Sequence, residues 1–345
     1  MSSIKRAITF YRRQQRLPTL REILSSQTWY IPNKNSPKLP AFAQIEPTTL
    51  CNFRCITCSR ASLPEGKKNI SMTSEQFEEI LRKIPSLKRI HLQGLGEPLL
   101  TPDLQKIIDI SKERGIFIST TTNGSLLHIE KYRNLALQFD EIDFSFDSTT
   151  KENFEKIRIG GNFDVVLEGM TLLSKQNKEA KGKTRINLNF VATYLNYAQI
   201  PDLADIAIAL GVNKVGVTQM ENWYTPAEKG FADSHAFVLR TSKSASEINK
   251  LTSELRARLK PHGIDVLLGG YDKRKGICTW PFKRTFITVD GLVTPCCIRD
   301  SEAINFGSIY STDDFDKIWN GPEFKKFREA NIKDLPNPVC DNCPF

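Results

Sequence analysis

Residues 43–58 read AQIEPTTLCNFRCITC. Ala43–Glu46 is a candidate for a short strand, and it runs into a loop carrying Cys51, Cys55 and Cys58 with the spacing C-x3-C-x2-C. Three thiols on so short a loop can hold three irons of a cubane [4Fe–4S] cluster, leaving the fourth iron without a protein ligand. An open coordination position separates a reactive metal centre from a structural one. A zinc knuckle, or three cysteines that bind nothing, also fits the spacing. The nearest histidine, His91, stands 33 residues beyond Cys58.

Working outward from that loop, a rhythm appears. Thr73–Ile84 reads as a helix, with Phe77, Ile80, Leu81 and Ile84 on one face and Thr73 or Ser74 as cap. Arg89–Leu92 reads as a strand, and Pro102–Arg114 as a helix stopped by Gly115. Strands follow at Ile116–Thr120, Glu141–Phe146, Arg185–Ala192 and Lys214–Thr218. Helices at 129–137, 163–176 and 200–210 separate them. Strands alternating with helices imply a parallel sheet with right-handed crossovers. Six such units are too few for a closed eight-stranded barrel, so the expected fold is α/β, a partial (β/α)6 TIM-like barrel. Its functional groups belong at the C-terminal ends of the strands. A long helix spans Lys243–Lys260. Beyond it lies a hairpin, Phe286–Val289 and Leu292–Thr294 about an Asp290-Gly291 turn, then a helical segment at Phe324–Ala330. The expected units are a basic extension (1–40), the barrel (41–240), a linker helix (241–265) and a small C-terminal domain (266–345).

The chain has eight cysteines, and 219 residues without one separate Cys58 from Cys278. The second group is Cys278, Cys296, Cys297, Cys340 and Cys343. Short spacings in a long chain without a signal segment read as metal ligands rather than a disulfide framework. A hairpin flanked by Cys278 and Cys296 and closed by Cys340-x2-Cys343 brings four thiols together, which suits zinc or [4Fe–4S] alike.

C-x3-C-x2-C after the first strand of a six-fold β/α repeat resembles the radical S-adenosylmethionine (radical SAM) superfamily. The resemblance covers roughly residues 43–345. It implies that the open iron chelates SAM, and that reductive cleavage gives a 5′-deoxyadenosyl radical which abstracts a substrate hydrogen. Gln93-Gly-Leu-Gly96-Glu97-Pro98 resembles the family's Gly-Gly-Glu motif, which meets the SAM amino group. By the same resemblance Phe53, Thr57, Gly96, Glu97, Asn123, Ser145, Asp147, Asn189 and Gln219 are cofactor-binding candidates, with Ser145 and Asp147 expected at the ribose. Thr57 stands where the family often has an aromatic residue on adenine. Residues 266–345 resemble the SPASM/twitch extensions, in the shorter form with one auxiliary [4Fe–4S] cluster. Cys278, Cys296, Cys340 and Cys343 are then its ligands. Cys297 is left over, a candidate thiol hydrogen donor to a substrate radical.

Composition narrows the rest. Hydrophobic residues are 40% and charged residues 25%, ordinary for a globular chain, and no apolar run is long enough for a membrane span. Residues 1–40 hold eight Lys/Arg against one acid, Glu22, within a net charge of +9. Such a segment can meet an acidic partner. No nucleic-acid module accompanies it, so nucleic acid is not an expected partner. The expected function is therefore a cytoplasmic radical SAM enzyme that matures a ribosomally made peptide, with a separate leader-recognition protein if one is required. Flavodoxin or ferredoxin would supply electrons. The alternative is a dehydrogenase of an aminoglycoside or sugar-like molecule. A molybdopterin-precursor cyclase is not expected, because the chain ends Cys343-Pro-Phe345 rather than Gly-Gly. A non-enzyme alternative is a zinc-stapled, nucleic-acid-binding scaffold. Glu221, a catalytic candidate, and Asn222, Trp223 and Tyr224 follow the sixth strand and are substrate-facing candidates.

Overall fold

The computed structural model describes residues 38–219, 242–269, 278–296, 304–333, 335 and 340. Its frame is one nine-stranded sheet. The strands are β1 (Phe42–Ile45), β2 (Arg89–Leu92), β3 (Phe117–Thr122), β4 (Glu141–Ser145), β5 (Arg185–Ala192), β6 (Lys214–Gln219), β7 (Asp265–Gly269), β8 (Arg284–Ile287) and β9 (Val293–Thr294). The order is β7-β6-β5-β4-β3-β2-β1-β8-β9, so the six expected β/α strands lie side by side in chain order. Every neighbouring pair is parallel except β8 with β9. The architecture is the expected partial barrel, with a sheet that does not close on itself.

Among the described residues the helices are α1 (Ser74–Lys83), α2 (Leu104–Glu113), α3 (Glu130–Ala136), α4 (Lys151–Ile157), α5 (Phe163–Glu179), α6 (Leu203–Leu210), α7 (Ser242–Leu259), α8 (Trp280–Lys283), α9 (Phe315–Trp319) and α10 (Pro322–Lys333). Local chemistry starts and stops them. Thr73 and Gln76 form a reciprocal capping box at the start of α1. Asn162 accepts from the Val165 N–H to cap α5. Gly211, in the left-handed region at φ 64°, ends α6.

The strands alternate, and the alternation sorts the two faces. Ala43, Ile45, Ile90, Leu92, Ile118, Ile142, Phe144, Leu188, Val215 and Val217 are buried in one apolar core with helix residues such as Phe77, Ile107 and Leu173. The opposite parity lines the barrel interior and is polar. There His91 Nδ1 lies 2.8 Å from Ser119 Oγ, and its Nε2 lies 3.0 Å from Thr121 Oγ1. Asn187 donates to Glu141 and Asp143, and Arg89 pairs with Glu141 at 2.7 Å. Parallel strands covered on both faces ordinarily read as continuous apolar runs. Here one side of the sheet is built for water or a polar ligand.

Several features were not anticipated, among them the short helices α8 and α9. α4 is a short turn of helix between β4 and α5. β7 follows α7 and pairs with β6. β8, the first strand of the expected hairpin, pairs in parallel with β1, so the barrel sheet continues into the C-terminal segment. The hairpin itself forms as expected, with Gly291 at φ 86° in its turn.

Candidate active site

Every strand from β1 to β6 points its C-terminal end at one cavity of about 310 Å3. Cys51, Cys55 and Cys58 line it together. The sequence holds their loop from several sides. Thr48 Oγ1 lies 2.7 Å from Ser71 Oγ, and Thr49 Oγ1 donates to the Lys67 carbonyl at 2.7 Å. Arg60 reaches back to the Thr49 carbonyl at 2.6 Å. On the far side the Arg54 N–H donates to the Ile159 carbonyl at 2.8 Å and the Ile56 N–H to the Ile157 carbonyl at 2.9 Å. Those two bonds set Cys55 opposite Arg158.

The three thiols are half-buried and form no disulfide. Burial pushes all three above the ordinary thiol range, Cys55 to about 12, although the charge of Arg158 pulls the other way. Iron binding must therefore displace protons from them. Among the described residues no three His, Cys, Asp or Glu side chains gather closely enough to share one metal ion. Three thiols lining one cavity, with no fourth cysteine among the lining residues, are the donor set of a cluster with one open iron rather than of a closed tetrahedral zinc site. The donor set fits the cubane, and no histidine is among the lining residues.

Phe53, Thr57, Gly96, Glu97, Asn123, Ser145 and Asp147 line the same cavity. Phe53 is also packed against Gly161, where a Cβ would approach its Cζ to 2.9 Å. The glycines of the 93–98 motif have an internal cause. A Cβ on Gly96 would sit 2.3 Å from the Thr48 carbonyl oxygen, and one on Gly94 would strike the side chain of Glu46. They let the second strand's loop lie against the cysteine loop. Glu97 is buried, and burial raises its pKa while three donors act against that. Its carboxylate accepts from the Asn123 N–H at 2.7 Å, the Thr122 hydroxyl at 2.8 Å and the Leu99 N–H at 3.1 Å. With about four acceptor positions on a carboxylate, room for one further donor remains. The Asn123 amide donates to Asn52 Oδ1 at 3.0 Å, tying the β3 loop to the cysteine loop.

Ser145 carries no side-chain hydrogen bond to protein among the described residues. Asp147, expected at the ribose, lines the cavity and is also tied to the protein. It is fully buried, with one oxygen accepting from the Val191 N–H at 2.9 Å and the other 2.6 Å from Arg158. Asn189 lies off the cavity lining, its Oδ1 over Gly216. Gln219 ends β6 opposite Ala192. Sequence reasoning missed Arg158, Val191 and Thr218, which also line the cavity. The pair Gly160-Gly161, two residues after Arg158, was the available signal, since paired glycines mark a close backbone approach. Cys278 precedes α8 and Cys296 follows β9; with Cys340 they are half-buried and outside any disulfide. Glu221, Asn222, Trp223, Tyr224, Cys297, Cys343 and the basic extension up to residue 37 lie outside the described residues.

Residues 45–218 match the model of the radical SAM superfamily. The chain belongs to that superfamily. Residues 278–344 of this radical SAM protein match the SPASM iron–sulfur cluster-binding domain. Family membership brings a [4Fe–4S] cluster and SAM, and the SPASM domain brings auxiliary iron–sulfur binding. It also makes the chain an enzyme, so the zinc-stapled scaffold falls. A tungsten-containing aldehyde ferredoxin oxidoreductase cofactor-modifying protein of Pyrococcus furiosus is 30% identical over 328 residues, covering 88% of this chain and 86% of that protein. A probable GTP 3′,8-cyclase of Methanococcus maripaludis is 27% identical, covering 85% and 94%. The mycofactocin maturase MftC of Mycobacterium tuberculosis is 25% identical, covering 82% and 71%. Among solved structures, Streptococcus suis SuiB bound to its precursor peptide SuiA superposes with TM-score 0.65 at 15% identity, covering 84% of this chain and 67% of that one. That likeness is one of fold. No helix among the described residues is long and apolar enough to cross a membrane.

Proposed function

We propose that this radical SAM enzyme modifies a ribosomally synthesised peptide by abstracting hydrogen from a residue presented at the mouth of the barrel. The observation that carries the reading is the open sheet with a polar interior. Among the described residues β7 and β9 are its two ends and do not pair, and in this reading the open side admits an extended chain. The resemblance to the mycofactocin maturase over most of the chain, and the eight Lys/Arg of residues 1–40, which suit an acidic leader, support the same reading.

When bound, the cluster and SAM together supply a 5′-deoxyadenosyl radical. The chain's own residues hold and orient. Cys51, Cys55 and Cys58 bind three irons, and Cys278, Cys296, Cys340 and Cys343 bind the auxiliary cluster. Glu97 locks three loops in register and keeps one acceptor position open to an ammonium. The Ser145 hydroxyl is available to a ligand. Glu221 is the proposed substrate contact, and Cys297 the proposed donor of a hydrogen atom to the product radical, its thiyl returned to the thiol by one electron from the flavodoxin or ferredoxin and a proton from water. A flavodoxin or ferredoxin supplies electrons, a separate protein binds the leader if one is required, and the work is done in the cytoplasm, where thiols stay reduced.

A second reading has its own support. The polar interior and the cyclase-named relatives suit a small polar substrate, a sugar, an aminoglycoside or a nucleotide. One experiment separates the two. The reconstituted enzyme is given SAM with a deuterated peptide encoded beside its gene, or with GTP, or with a deuterated aminoglycoside. Deuterium in 5′-deoxyadenosine from the peptide alone supports the maturase; transfer or product from GTP or the aminoglycoside alone overturns it. Cys297→Ala with full iron and normal turnover would remove the hydrogen-donor role.

A further inference from the structure

Asp147 and Arg158 form a buried ion pair at the cavity wall, 2.6 Å apart, with side-chain exposures of 1% and 7%. Stability alone does not account for it. Two charges taken out of water cost several kcal/mol each, and apolar replacements of such pairs are often neutral or stabilising. Nor is the pair fully absorbed into internal hydrogen bonding, since the Arg158 Nε is buried with no partner among the described residues. Its placement is specific. The backbone bonds from Arg54 to Ile159 and from Ile56 to Ile157 bracket Cys55 on one side and Arg158 on the other. Both Arg158 and Asp147 line the cavity with the three cysteines.

Reducing an iron–sulfur cluster adds one electron, here from an external one-electron donor, and so one negative charge. Charge and hydrogen bonding around the ligands tune the potential at which this happens. In a medium of low dielectric a neighbouring guanidinium favours the reduced state, and a neighbouring carboxylate opposes it. We propose that Asp147 and Arg158 are positioning residues that set the reduction potential of the N-terminal cluster, Arg158 raising it and Asp147 restraining it. Arg60 and Glu97 are the other charges facing the cysteines. Arg60 is committed to Thr49 and Asn69, and Glu97 to its three donors. The inference rests on the reading that Cys51, Cys55 and Cys58 hold that cluster.

The test is a redox titration of the full, reconstituted chain followed by electron paramagnetic resonance, reading only the signal that changes shape when SAM is added. Asp147→Asn is expected to move its midpoint upward, and Arg158→Gln downward. The double variant Asp147→Asn/Arg158→Gln keeps the shape and removes both charges, and is expected to return close to the parent value. Wild-type midpoints in both single variants at full iron content, or a downward shift in Asp147→Asn, would overturn the inference. Should Arg158→Gln not fold, the sign of the Asp147→Asn shift decides. Absence of any SAM-responsive signal in the parent protein would instead sink the assignment of the cysteines.

Discussion

Gly96→Ala puts the packing between the second strand's loop and the cysteine loop to a direct test. A Cβ at position 96 would lie 2.3 Å from the Thr48 carbonyl oxygen and 2.7 Å from that of Leu50. An ordinary carbon–oxygen contact is about 3.3 Å or more, so the two segments must part by roughly 1 Å. The clashing atoms are backbone and cannot rotate aside. The Glu97 N–H bond to the Leu50 carbonyl, 2.8 Å, spans the same gap and would be stretched or lost. Overpacking of this kind costs about 1–3 kcal/mol and one hydrogen bond about 1 kcal/mol, for a total of about 2–4 kcal/mol. Leu50 directly precedes Cys51, so the displacement passes into the ligand loop and iron retention should fall with it. Urea unfolding of the cluster-free chain measures the first effect, and iron and sulfide per chain after anaerobic reconstitution the second. Gly115→Ala is the control. Nothing lies within 4 Å of its Cβ position, and only its φ of 64° is unfavourable. It should cost about 1–2 kcal/mol and leave iron content unchanged. Parent-like stability and iron in Gly96→Ala would refute the packing argument.

Purified without oxygen, the chain should carry about eight irons, and replacing Cys51, Cys55 and Cys58 with Ala should leave about four and abolish SAM cleavage, as iron assay and 5′-deoxyadenosine detection will show. Thr73→Ala should cost about 1 kcal/mol in urea by removing one half of the α1 capping box. Burial would raise the carboxyl of Asp290, but hydrogen bonds from Lys67 and Thr288 outweigh it and hold the pKa below the usual range. A depressed folded pKa gives stability that is present above the unfolded value and lost as pH falls through the folded one. Asp290→Asn should therefore flatten the stability profile below about pH 4, and an unchanged acid limb would contradict this.

Much of the barrel was readable because its strands and helices carry their own signals. Arg89–Leu92 and Arg185–Ala192 were legible to the residue, since apolar side chains alternate with polar ones between clear turns. The cysteine loop was legible because its chemistry lies within eight consecutive residues. β7 was not. Its Asp-Val-Leu-Leu-Gly is too short to show a period, and its pairing with β6 depends on a helix that returns the chain to the sheet. The ion pair of Asp147 was hidden for a similar reason. Nothing near it in the chain announces that its partner is Arg158, 11 residues on, and only the fold of α4 turns that guanidinium back toward it. Glycines 94 and 96 were legible as a motif, but not that Glu46 and Thr48 are what they pack against. Sequence marks a need for closeness, but what comes close is settled by the third dimension.

The parallel seat of β8 beside β1 has a practical bearing on how the protein can be divided. β1 leads into the cysteine loop, and among the described residues β8 satisfies the backbone groups on its outer side. A fragment ending before residue 278 would bare that row of N–H and C=O groups next to the metal ligands, and an uncovered strand of this kind recruits other chains. Such a truncation should precipitate or pair with itself rather than yield a lean catalytic core. The two iron–sulfur modules are in this sense a single inheritance, to be expressed and evolved together.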